Sequence, residues 1–195
     1  MTAKVNLRAE LAVGKGPMDC GRVCEVVEWI AGMPRRLPGL IELLWDNDAG
    51  VASRAADVLE RVTREASPPG MRRVLQQYKA ELIGLLADAT FPKVRWNLAL
   101  TLPRMTLTVP ECRRIAAVFD AWRDDKSSII KTAALHGTAM LARQDPESLP
   151  EVLDLLRVAG RSGTPAMRAR SRHLLAALEH PRKKKSVAAP THMFS

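Results

Sequence analysis

Four stretches of the chain place an apolar or small residue at positions i, i+4, i+8 and i+11. They are Val51, Ala55, Leu59, Val62; Val94, Leu98, Leu102, Met105; Ile130, Ala134, Thr138, Leu141; and Met167, Ser171, Leu175, Leu178. That spacing keeps one face of an α-helix apolar. The stretches begin 43, 36 and 37 residues apart, the length of a helical hairpin, which is the mark of stacked helical repeats. Ahead of each runs a second stripe: a short one from Leu40 to Trp45, then Leu75, Tyr78, Leu82, Leu85; Cys112, Ile115, Phe119, Trp122; and Val152, Leu156, Ala159. Each repeat therefore reads as a first helix, A, a short turn, and a second helix, B, that carries the shared pattern.

Start and stop signals agree with this division. Asp48, Ser127 and Thr164 each stand three residues before the first apolar position of a B helix, where a side-chain oxygen accepts a terminal amide hydrogen bond. Pro165 follows Thr164 at the first helical position. The second repeat differs, with Phe91 at the cap position and Pro92 after it, and Pro103 shortens or kinks the end of its B helix. In the third A helix, Thr108 and Glu111 form a Thr-x-x-Glu capping box around Pro110. An N-terminal helix is expected over 18–30 with Cys20, Cys24, Val27 and Ile30 inward, ended by the prolines of 33–38.

These readings predict an all-α chain of about nine helices: one N-terminal helix and four hairpins, with the B helices lining a shallow concave face. Residues 1–17 read as a flexible leader, 18–180 as a single repeat domain, and 181–195 as a disordered basic tail. Composition fits helix packing better than sheet packing, since 47% of residues are hydrophobic but only 4% are aromatic. No apolar stretch approaches the roughly 20 residues that span a bilayer. Three cysteines, no signal core and no disulfide framework imply a reduced, cytoplasmic protein, taken as a monomer.

The net charge of +9 is unevenly placed. Residues 1–160 hold 22 Lys and Arg against 20 Asp and Glu, whereas 161–195 hold 8 against 1. Arg161, Arg168, Arg170 and Arg172, continued by Arg182, Lys183, Lys184 and Lys185, form the richest basic cluster. Two readings stand: a solvated cap that keeps the end of the stack soluble, and a sequence-independent contact with phosphates.

The repeat pattern, with Val94-Arg95, Ile130-Lys131 and Met167-Arg168 opening the B helices, resembles HEAT repeats and the short HEAT-containing proteins of bacteria. The resemblance covers about 38–178 and implies an armadillo-like α-solenoid of four HEAT-like hairpins. It also implies a ladder between repeats, with Asp48, Asp88 and Asp125 as acidic rungs and Arg95, Lys131 and Arg168 as basic ones. The first repeat departs, with Ala52 after Val51 and Arg54 further on, and the fourth has Thr164 where an Asp would stand.

Motifs with chemical meaning are sparse. Cys20 and Cys24 sit one turn apart, as two zinc thiolates do, yet they fall on an apolar stripe where free cysteine is a small buried hydrophobe, so no metal is expected. His136, His173, His180 and His192 have no paired partner in sequence, and there is no phosphate loop, HExxH or nucleophile elbow. No cofactor is expected. Trp45 and Trp122 end apolar stripes and should seal the core, while Trp96 lies off the stripe and either packs on a neighbouring repeat or faces the groove. The resemblance implies a non-enzymatic protein–protein scaffold, with Arg54, Arg61, Arg95, Trp96 and Lys131 as groove candidates. The alternative is nucleic-acid binding. Its enzymatic version follows from the HEAT-like build of alkylpurine DNA glycosylases, but residues 91–107 hold no carboxylate to accompany Trp96 and Arg95.

Overall fold

Local capping chemistry decides where the helices begin. A computed structural model describes residues 6–64 and 69–180, and every element among them is helical, with no strand. The α-helices are α1 (Leu7–Ala12), α2 (Val23–Ala31), α3 (Leu37–Glu42), α4 (Ala49–Val62), α5 (Pro69–Gln77), α6 (Lys79–Asp88), α7 (Pro92–Thr101), α8 (Val109–Ala121), α9 (Ser128–Leu141), α10 (Leu149–Ser162) and α11 (Pro165–Glu179). Asp48 accepts from the amides of Gly50 and Val51, Ser127 from Ile130, and Thr164 from Met167. The Thr108–Glu111 capping box is closed in both directions, and Phe91 opens α7 with no side-chain cap. Helix α7 stops at Thr101, and Leu102–Arg104 tighten into a 3₁₀ turn around Pro103, which has no amide to continue the ladder.

The predicted stripes are inside. Val51, Ala55, Leu59 and Val62 of α4 are buried, as are Val94 and Leu98 of α7 with Leu102 and Met105 beyond it, and Ile130, Ala134, Thr138 and Leu141 of α9. In α11 Ser171 is buried, while Met167, Leu175 and Leu178 are partly covered around Leu174. Helices α4, α7, α9 and α11 pack in chain order, each against the next.

Four features depart from the sequence reading. The leader expected over 1–17 contains α1, which packs on α4 and buries Leu11. The first long helix starts at Val23 instead of Met18, because Gly21 turns the chain with a φ of 50°. A Cβ there would lie 1.9 Å from the Val13 carbonyl oxygen, so the turn requires glycine. Cys20 is left outside the helix and exposed, and within the helix Val23, Val26 and Ile30 face inward while Cys24 is exposed. The second A helix is broken at Tyr78 into α5 and α6. Trp45, expected to seal the core, is 48% exposed and donates its indole N–H to Glu81. Trp122 is buried as expected, with its ring 5.6 Å from Phe119. The tail expected over 181–195 lies outside the described residues.

The apolar interior forms two clusters that meet at α9. The larger runs from Leu11 to the Ile130, Ala133 and Ala134 face of α9, and the smaller joins Leu135, Ala139 and Ala142 to Val152, Leu156, Ala159 and Leu174. The α10–α11 hairpin is thus mounted on α9 by a core of its own. Close approach of α7, α8 and α9 depends on Gly137, where an added Cβ would meet the Phe119 ring at 2.4 Å and the Ala99 carbonyl at 3.1 Å. Phe119 is fully buried and has no space to retreat. Gly137→Ala is therefore predicted to lower stability by about 1–3 kcal/mol through overpacking, against the intrinsic helix preference for alanine. Urea unfolding measures it, and an unchanged or raised midpoint contradicts this packing.

Candidate functional site

The cations expected to line a groove are mostly consumed inside the molecule. Arg54 is 2% exposed, and its guanidinium donates to the carbonyls of Leu11, Ala12, Gly16 and Asp19, holding the N-terminal segment on α4. It does not line a groove: its position on the buried face of α4 makes it an internal clamp. Arg61 pairs with Asp57 at 2.8 Å, and Lys93, itself buried, lies 3.2 Å from the same carboxylate. Arg95 pairs with Asp125 at 2.8 Å and lies 4.3 Å over the Trp122 ring. Trp96 is half-buried and packs on the larger core.

Of the expected ladder, the structure forms the Arg95–Asp125 rung. The Ser127 amide and then Arg95 hold the Asp125 carboxyl below its ordinary range, with Lys131 adding a weaker pull. Asp48 is spent on the α4 cap, Arg168 donates to the Gly163 carbonyl, and Asp88 has no ion pair among the described residues. Arg161, Arg170 and Arg172 are exposed, and among the described residues none of the three has a carboxylate within ion-pair distance. Lys183, Lys184 and Lys185 lie outside the described residues.

A site the sequence did not single out lies between α8 and α10. Both helices rest on α9 and leave a groove of about 770 Å³. Its apolar surface comes from Ala116 and Ala117 on α8 and from Leu155 and Val158 on α10, with Val158 53% exposed. Asp120, Asp145, Glu147, Glu151 and Asp154 line it with Arg113 and Arg123; Asp120 pairs with Arg123 and Asp154 with Arg157, and Glu151 has no ion pair among the described residues. Arg113 donates to Asp145 Oδ2 at 3.1 Å and to Glu147 at 2.8 Å. The other oxygen, Asp145 Oδ1, is buried and has no hydrogen-bond partner among the described residues. Burial, then the charges of Asp145 and Glu111, push the Cys112 thiol beside the groove above its ordinary value, so this sulfur is suited to packing. The signal in the sequence was Leu155 and Val158, two apolar residues outside the Val152, Leu156, Ala159 stripe.

His136, on α9, has a perturbed environment. Its Nδ1 is buried without a hydrogen-bond partner among the described residues. Burial first, then the charges of Arg170, Arg104 and Arg143, lower its pKa to about 4, with Glu60 opposing weakly.

No protein-family model matches the chain, and no curated protein matches it significantly. Among solved structures, a similar one is described as the "Crystal Structure of Engineered Protein", a Northeast Structural Genomics Consortium target. The TM-score is 0.57 at 14% identity, covering 89% of this chain and 78% of that one. This is a likeness of fold.

The buried histidine sets a pH dependence. A folded-state pKa depressed from 6.5 to about 4 means that the unfolded chain binds the proton first, so stability is full above pH 6.5 and falls as pH drops toward 4. The expected loss over that window is about 3 kcal/mol. Chemical denaturation at pH 7 and pH 4.5 should show a loss in the parent that is clearly smaller in His136→Gln. Equal losses in the two proteins contradict the assignment.

Proposed function

We propose that the chain is a non-enzymatic protein-interaction module, a HEAT-like stack of helical hairpins acting as a cytoplasmic monomer, whose partner docks in the α8–α10 groove. The succession of α4, α7, α9 and α11, each preceded by its own A element, supports the stacked-hairpin reading. The observation that carries the binding site is the exposed apolar strip of the groove, with Val158 53% exposed, bordered by the exposed Glu151 carboxylate, which has no ion pair among the described residues. A lysine or arginine tip from a partner gains a charge-assisted hydrogen bond at the exposed Glu151 carboxylate. The partner is therefore a peptide segment with basic residues toward the exposed Glu151 and Asp154 and apolar side chains over Ala116, Leu155 and Val158. An apolar floor gives affinity and the carboxylate rim gives orientation, the division common to helix-in-groove recognition.

The same geometry disfavours the cationic groove needed for nucleic acid, since Arg54, Arg61 and Arg95 are occupied by internal partners. A second reading, polyanion contact, retains support from the exposed Arg161, Arg170 and Arg172.

Fluorescence anisotropy on the full chain separates the two. The probes are an amphipathic Lys/Leu peptide, a version with serine for leucine, and a duplex DNA. The Lys/Leu peptide should bind more tightly than the serine version and weaken about tenfold in Glu151→Lys/Asp154→Lys. Equal binding of both peptides, or DNA binding lost in Arg170→Glu/Arg172→Glu with no peptide binding, overturns the groove reading.

A further inference from the structure

The cysteines expected in the core are instead presented together at the surface, and a single arginine from another helix reaches both. Arg61 Nη1 lies 3.6 Å from Cys24 Sγ, and Arg61 Nη2 lies 4.0 Å from Cys20 Sγ. The guanidinium is held by Asp57: its Nε bonds Asp57 Oδ1 at 2.8 Å, and the buried Lys93 ammonium lies 3.2 Å from the other Asp57 oxygen. The backbone is also fixed. Cys20 opens a tight turn in which its carbonyl accepts the Val23 amide, Gly21 takes the left-handed conformation, and Val23 is fully buried at the start of α2. Cys20 lies outside α2, so helix pitch does not set its separation from Cys24. No buried-core role explains two exposed thiols at one cation.

The two sulfurs are not equivalent. Both accept a guanidinium N–H, Cys24 at the shorter distance, but Cys20 Sγ is also 3.9 Å from Asp57 Oδ2 and is placed to donate its S–H to that carboxylate. Cys112, in α8, is buried.

We propose that Cys20 and Cys24 form an oxidation site that a peroxide closes to an intramolecular disulfide, with Arg61 as the positioning group. In the first step the Cys24 sulfur attacks one peroxide oxygen, the O–O bond breaks, and the departing oxygen leaves as water, giving a Cys24 sulfenic acid. In the second the Cys20 sulfur attacks the Cys24 sulfur, the S–O bond breaks, and the hydroxide leaves as water with the Cys20 proton relayed through Asp57. The two thiols lose two electrons and two protons, and hydrogen peroxide is reduced to two waters.

The test treats the full chain with hydrogen peroxide and follows intact mass, peptide mapping and thiol alkylation. The expected product is two hydrogens lighter, with Cys20 and Cys24 joined and Cys112 still alkylated after denaturation. Cys20→Ser should trap the sulfenic acid, captured by dimedone on Cys24, and Cys24→Ser should leave Cys20 without a dimedone adduct. Arg61→Gln should slow disulfide closure about tenfold while circular dichroism stays that of the parent. Disulfide-linked dimers without the Cys20–Cys24 link, oxidation confined to separate cysteines in the parent, or a dimedone adduct on Cys20 in Cys24→Ser overturns the proposal. An unchanged rate in folded Arg61→Gln removes Arg61 from it.

Discussion

The structure depends on the charged residues that α4 carries into the interior. Twelve of its residues are buried, and among them Arg54, Asp57 and Glu60 each tie the helix to a different part of the chain. Arg54 binds the carbonyls of the N-terminal segment, Asp57 meets Lys93 of α7, and Glu60 meets Arg104 in the turn after α7. Burial alone would push the Glu60 carboxyl up, but hydrogen bonds from Arg64 and Arg104 outweigh it and hold the group below its ordinary range. A buried ion whose partner is removed costs far more than a surface one, so these three contacts fix which neighbours α4 accepts.

This use of charge explains why a chain of net charge +9 does not present a continuous cationic face along its B helices. The arginines nearest α4 and α7 are committed, and the apolar opening appears further along, where the core divides at α9 and α10 is carried away from α8. Division of the core and formation of the groove are one event: Leu135, Ala139 and Ala142 turn to the terminal hairpin while Ile130 and Ala134 stay with the preceding helices. The same α4 network reaches the surface at Arg61, which connects the interior pair of Asp57 and Lys93 to the exposed cysteines.

Whatever rests on neighbours in sequence was legible before the structure. The B-helix stripes, the caps at Asp48, Ser127 and Thr164, the Thr108 capping box and the early end of α7 at Pro103 all follow from contacts a few residues long. What rests on distant partners was not, the Arg95–Asp125 rung apart. Arg54 read as a groove residue because its acceptors lie 35 to 43 residues upstream. Cys20 read as core because the Gly21 turn, which takes it out of the helix, packs against the carbonyl of Val13 in a segment expected to be loose. Trp45 was misplaced since its stripe ends in a 3₁₀ turn that rotates the indole toward Glu81. The groove itself depends on a separation between α8 and α10, which no local pattern encodes, although Leu155 and Val158 were visible as apolar residues without an assigned place.

The central claim is that buried charge on α4 organises the packing of the helices around it. A double-mutant cycle on Lys93 and Asp57, using Lys93→Met, Asp57→Leu and the double variant in equilibrium urea unfolding, tests it most directly. The account predicts that the double variant is less destabilised than the sum of the single ones, with a coupling of about 2 kcal/mol or more. Additivity within about 0.5 kcal/mol would mean that the pair is not coupled, and would contradict the account.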